Sequence, residues 1–154
     1  MKARNLIVLL LLLGLGQPDV AWSAKNFPDS VTQLVAETKQ AITTIDMKTF
    51  KDIVDRKSYD MIIDVREPDE YDVGHVPGAM NIPRGVIEFR IWRYIGYPNS
   101  TDTSKRIFLY CKSGSRCALA THSLKKLGFT NVVAVDMKFK AWEDAGYPLD
   151  FRVE

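Results

Sequence analysis

The chain has 154 residues, about one domain's length, and 46% of them are hydrophobic, enough for one core. A formal charge of +2, with Lys and Arg scattered rather than in blocks, argues against a nucleic-acid or anionic-membrane surface. Cys111 and Cys117 cannot form a disulfide framework, and no run containing His75 or His122 has zinc-ligand spacing, so no metal is expected.

Lys2 and Arg4 open the chain, Leu6 to Leu13 is unbroken apolar sequence, and Ala21-Trp22-Ser23 offers small residues at −3 and −1. That is the layout of a secretory signal over residues 1–23, with export to a bacterial periplasm as the expectation. The apolar run is shorter than the roughly 20 residues that cross a bilayer, so no stable membrane association is expected after cleavage. An uncleaved, membrane-tethering signal is the alternative. Loss of Lys2, Arg4 and Asp19 leaves the mature chain close to neutral.

Residues 24–41 read as an N-terminal extension, with a helix over Ser30–Gln40 capped by Ser30 and carrying Val31, Leu34 and Val35 at helical spacing. Residues 42–152 read as the main domain. Ile42–Ile45 is a short strand, and Asp46 caps a helix that buries Phe50, Ile53 and Val54. The apolar run Met61–Ile63 stops at Asp64, as in a strand covered on both faces. Residues 64–78 are mostly loop, with one helical turn at most. Ala79–Ile82 is a strand ended by Pro83, and Arg84–Tyr97 a helix with Ile87, Ile91 and Tyr94 facing the core. After the polar loop 98–104, Ile107–Tyr110 is a strand. Its helix shows a face at Leu119, Ser123 and Leu127 and ends at Gly128. A strand over Val132–Val135 and a helix over 139–145 complete the pattern. Strands alternating with helices predict an α/β domain with a mainly parallel sheet, whose ligand site lies beyond the carboxyl ends of strands. Asp64 and Cys111 both stand there.

From Cys111 the chain runs Lys112, Ser113, Gly114, Ser115, Arg116 and enters a helix. The small residues let backbone N–H groups turn inward as a nest for negative charge, and the helix start, Lys112 and Arg116 add to it. Cysteines so placed titrate at roughly 3.5–7.5 rather than about 8.5, and the thiolate is the nucleophile. These flanking residues also argue against burial of Cys111 among apolar groups. Asp64 is free to orient loop N–H groups or to pair with Arg66. Arg66 and Glu70, four apart, suit a local ion pair. His75, beside a Pro-Gly turn, reads as a hydrogen-bonded structural residue rather than a base. Pro77, Gly78 and Pro83 read as turn residues, and aromatics and arginines of 84–97 as candidate walls of the entrance. Cys117 has two readings: a quiet packing residue, or a resolving cysteine that attacks a sulfur on Cys111 and closes a disulfide.

The sequence resembles the rhodanese family over most of the mature chain. The likeness rests on Asp64-Val65-Arg66-Glu67, Glu70-Tyr71, Gly74-His75-Val76-Pro77-Gly78-Ala79 and Asn81-Ile82-Pro83, on the loop Cys111–Arg116, and on Trp142 with Gly146-Tyr147-Pro148. It implies a three-layer α/β domain, a central sheet flanked by helices. It also implies a sulfurtransferase acting through a Cys111 persulfide, with Lys112, Ser113, Gly114, Ser115 and Arg116 holding the substrate. A small sulfur donor such as thiosulfate and an acceptor such as cyanide or a thiol are implied, with a thiol protein as a candidate partner and no metal or organic cofactor. Sulfur carriage between partner proteins is a second reading. A third, cysteine phosphatase or arsenate reductase, is disfavoured because those loops hold five residues between Cys and Arg and this one holds four. Met137 and Lys138 replace two glycines common in the family, which narrows the space and places Lys138 near the mouth.

Overall fold

A computed structural model describes residues 28–151, so the expected export segment at 1–23 lies outside the described residues. Five strands, β1 (Thr44–Asp46), β2 (Met61–Asp64), β3 (Ala79–Asn81), β4 (Ile107–Tyr110) and β5 (Val132–Asp136), form one sheet in the order β1-β5-β4-β2-β3. Every pairing is parallel, as the continuous apolar runs demand.

Alternate residues of the central strands feed two cores. Ile63, Leu109 and Ala134 face one side, with Ile87, Ile91, Ile95, Ala120 and Leu124. Ile62, Phe108 and Val135 face the other, with Phe50, Val54, Phe139 and Trp142. The first layer is built from α5 (Ser115–Lys126) and a segment over residues 84–94, and the second from α2 (Met47–Asp55) and α6 (Phe139–Asp144). The N-terminal helix α1 (Asp29–Gln40) packs outside α5. Asp46 caps α2 by accepting the Thr49 N–H at 2.7 Å, as its sequence predicts.

Four expectations need correction. Helix α1 starts at Asp29 behind Pro28, whose φ of −56° is preset for a helix start, and Ser30 does not cap it. The predicted helix at 84–97 is instead a 3₁₀ turn (Arg84–Val86), a single α turn, α4 (Ile87–Arg90), and another 3₁₀ turn (Ile91–Tyr94). Val86, at φ −134°, breaks the helical path, and beyond Ile91 the inner place falls to Ile95 while Tyr94 is exposed. On α5 the buried residues are Cys117, Ala118, Ala120, Thr121 and Leu124 rather than Leu119, Ser123 and Leu127. Small residues suit it because α5 lies between the sheet and α1.

Candidate active site

Strand β4 carries Cys111 to the carboxyl edge of the sheet, where the chain turns through Gly114 into α5. Gly114 sits at φ +80°, a conformation only glycine adopts freely, and an added Cβ would lie 2.6 Å from Asp136 Oδ1. Asp136 itself pairs with Lys39 of α1 at 2.6 Å, so the N-terminal helix buttresses the loop from behind. The Phe139 N–H donates to the Lys112 carbonyl at 2.9 Å, and this ties the loop to the start of α6. Lys138 flanks that link and is exposed, whereas Met137 is buried in the second core.

The Cys111 side chain is fully buried, against the expectation from its polar flanks. Its surroundings are nevertheless those of an anion. The Cys117 N–H donates to Cys111 Sγ at 3.4 Å. The Cys111 thiol is lowered to about 6, chiefly by the neighbouring Cys117 side chain, with the backbone N–H groups of Cys117, Ser113 and Gly114 adding to this against the opposing effect of burial. Both cysteines are free. Cys117 is pushed well above the ordinary range by its contact with Cys111 and by burial, so it keeps its proton. Among loop residues, Lys112 and Ser113 are exposed, Gly114 is buried, and Ser115 and Arg116 are half-buried.

Arg116 does not stand free beside the sulfur. Its guanidinium makes a two-pronged pair with Glu70 at 2.7 and 2.9 Å, and Glu67 lies 3.9 Å away. This pair holds Glu70 below the usual carboxylate range. Both acids belong to the one-turn helix α3 (Pro68–Asp72), whose start is closed by reciprocal bonds between Glu67 and Glu70. The predicted Arg66–Glu70 pair is therefore replaced. Arg66 instead forks onto Asp64, with bonds of 2.6 to 3.1 Å, and donates to the Gly74 carbonyl at 2.7 Å. Asp64 also accepts the Arg66 backbone N–H, so it orients the loop and pairs with Arg66 at once. Arg66 also lies 3.8 Å over the Phe139 ring, which links this loop to the start of α6.

His75 accords with its structural reading: Nδ1 faces the Tyr71 carbonyl at 3.0 Å, and the two rings stack at 3.7 Å. Gly78 takes φ +76° in its turn, and the indole N–H of Trp142 donates to the Pro148 carbonyl at 3.0 Å. Sequence reasoning missed Glu70 as the partner of Arg116. Forty-six residues separate them, and no periodicity in the sequence pairs them.

A family model described as Rhodanese-like domain matches residues 46–145. The chain belongs to that family. This rhodanese-like chain is 34% identical over 107 residues to the Putative sulfur carrier protein YrkF of Bacillus subtilis (strain 168), covering 70% of this chain and 54% of the relative. It thus spans about half the length of that relative. A Rhodopseudomonas palustris protein of unknown function, described as a possible tyrosine phosphatase, superposes with a TM-score of 0.66 at 29% identity. The match covers 78% of this chain and 93% of that one. The polysulfide-sulfur transferase homodimer of Wolinella succinogenes gives 0.64 at 23% identity, covering 82% and 90%, a likeness of fold alone. The α/β fold, all-parallel sheet and flanking helices of the family are all present here.

Proposed function

We propose that this rhodanese-like domain is a sulfurtransferase that carries sulfane sulfur as a persulfide on Cys111. One observation carries the reading: the Cys111 sulfur sits at the start of α5, where it accepts the Cys117 N–H at 3.4 Å. In the proposed cycle the thiolate attacks the outer sulfur of thiosulfate, forms a Cys111 S–S bond and expels sulfite. A thiophile such as cyanide or a thiol then takes the outer sulfur and returns the thiolate. Charge balances in both steps, and the amides meet an anion in each state.

The name of the Bacillus subtilis relative favours a second role within the same chemistry, sulfur carriage between proteins. Rates with cyanide and with a thiol protein distinguish the two roles. Phosphatase chemistry, suggested for the Rhodopseudomonas palustris relative, fits less well because a loop with four residues between Cys and Arg makes a tight ring. Residues 1–23 support export, which the mass of the protein recovered from a periplasmic fraction tests.

The deciding experiment is intact mass after thiosulfate treatment. A gain of about 32 Da, absent in Cys111→Ser, is expected for one added sulfur. A parent protein that takes up no sulfur while its Cys111 alkylates only above about pH 8, as an ordinary thiol does, refutes the assignment.

A further inference from the structure

The cycle above gives no task to α1, which precedes the residues 46–145 that match the family. Its last turn nevertheless reaches the active-site loop. Lys39 Nζ donates to Asp136 Oδ1 at 2.6 Å, and both members of this pair lie against Gly114. A Cβ added to Gly114 would stand 2.6 Å from Asp136 Oδ1 and 3.4 Å from Lys39 Nζ. Gly114 is the corner at which the loop enters α5, three residues ahead of the Cys117 N–H that donates to Cys111 Sγ. At 29% and 49% side-chain exposure the pair adds little to stability, so its placement rather than its strength sets it apart.

That placement sets two like charges near one another. Cys111 follows β4, and Asp136 ends the neighbouring parallel strand β5, so both stand at the same carboxyl edge of the sheet. A bare carboxylate there opposes a negative sulfur, because a like charge disfavours the ionised form. A cation held on the carboxylate removes that opposition. We propose that Lys39 is a positioning residue of this active site, a counter-ion delivered by α1 that holds the Asp136 carboxylate against Gly114 and cancels its charge beside the Cys111 loop. The role rests on the reading of Cys111 as the sulfur carrier. Lys39 acts through Asp136 and Gly114, and no covalent bond changes at its amine.

The other carboxylates around Cys111 have partners from within the matched domain. Glu70 of α3 grips Arg116 of α5, with Glu67 3.9 Å from the same guanidinium. Asp64, at the end of β2, is forked by Arg66, and Glu88 pairs with Arg84 in the segment that covers the first core. Tyr110, raised by burial, and Cys117, raised by the neighbouring Cys111 side chain, keep their protons. Lys112 in the loop and Lys138 ahead of α6 are exposed, and solvent screens them. Asp136 differs in drawing its cation from α1. Loss of Lys39 alone leaves a net negative charge at the loop corner, and loss of the Asp136 charge alone leaves a net positive one.

The test is the pH midpoint of Cys111 alkylation by iodoacetamide, read by mass on the Cys111 peptide, in the full chain and its variants. Lys39→Met should raise the midpoint by about half a unit, a roughly threefold loss of thiolate at low pH. Asp136→Asn keeps the shape against Gly114 but not the charge, so its midpoint should fall by a similar amount. The double variant should return to near the parent, and Lys39→Arg should stay there. In about 1 M salt the shifts should shrink, as they do for charges close to solvent. A pair that merely kept the loop in shape would move both single variants the same way and leave the double variant furthest from the parent. That outcome overturns the proposal, as do midpoints that do not shift. Should K39M not fold, D136N decides alone: a lower midpoint supports the role, and an equal or higher one refutes it. Alkylation needs no sulfur donor, so the midpoints stand whether or not Cys111 carries sulfur. A parent that takes up sulfur from thiosulfate while neither variant shifts the midpoint overturns the role of Lys39 and leaves the sulfur-transfer reading intact.

Discussion

Asp64 and Arg66 form the most deeply buried ion pair among the described residues, at 0% and 4% side-chain exposure, and their removal has a calculable cost. Asp64→Ala leaves a guanidinium in the core without its fork of bonds. Breaking such a pair on one side costs about 3–5 kcal/mol, most of it the uncompensated charge. Arg66→Met strands the carboxylate instead and also gives up the Gly74 carbonyl, for a loss of similar size. If the two losses were independent, the double variant would fall by about 6–10 kcal/mol, comparable to the whole stability of a domain. With the charges gone together, no buried charge is left uncompensated, and the expected loss is no larger than that of either single variant. Urea unfolding of the four proteins of this cycle reads the coupling directly, and each single variant should lose roughly 10–20 °C in Tm. Singles that each cost less than about 1 kcal/mol, or a double variant additive within about 0.5 kcal/mol, would show that the fork is not holding the loop.

Two further outcomes follow from the same geometry. Gly114→Ala must strain a φ of +80° and press a methyl group against Asp136 Oδ1, so Cys111 alkylation at neutral pH should fall several-fold with a stability loss of about 1–2 kcal/mol; an unchanged alkylation rate counts against the nest. The pH dependence of unfolding should also differ between the parent and Cys111→Ala. Cys111 titrates at about 6 folded and about 8.5 unfolded, so its contribution is complete above about pH 8.5, is about 1.4 kcal/mol at pH 7, and is lost as pH falls through 6. Cys117, shifted upward, opposes this only above its unfolded value, so the window lies between about 6 and 8.5. A parent-minus-C111A difference that is flat over that window contradicts the assignment.

What could be read from the sequence was whatever depends on neighbours along the chain. Met61–Ile63 and Ile107–Tyr110 are apolar without alternation because both faces of a parallel strand are covered. Cys111–Arg116 reads as an anion nest because its small residues, helix start and cysteine are contiguous. Arg84–Tyr97 misled because helical spacing at Ile87 and Ile91 persists through 3₁₀ turns, until Tyr94 and Ile95 exchange places. Glu70 escaped for another reason. Four carboxylates within four residues of Arg66 offered a choice, and only the fold shows that Arg66 takes Asp64 and leaves Glu70 for Arg116. Burial of Cys111 was misjudged similarly, since polar flanks say nothing about which way one side chain points.

That last pairing changes how the sulfur is held. The sequence suggests that the Arg116 charge steadies the thiolate, but a guanidinium gripped at 2.7 and 2.9 Å by Glu70 presents a reduced net charge to a third group. More of the work falls to dipoles, first the Cys117 N–H on Cys111 Sγ in the first turn of α5. A cradle of dipoles favours one buried negative sulfur at short range yet exerts little long-range pull on a dianion such as thiosulfate or a departing sulfite. Under the proposed function, this separates holding sulfur from holding its donor. The separation should appear as a Glu70→Gln variant that binds sulfite more tightly than the parent because Arg116 regains its charge. Equal sulfite inhibition in the two proteins would mean that the guanidinium already acts on the site despite its partner.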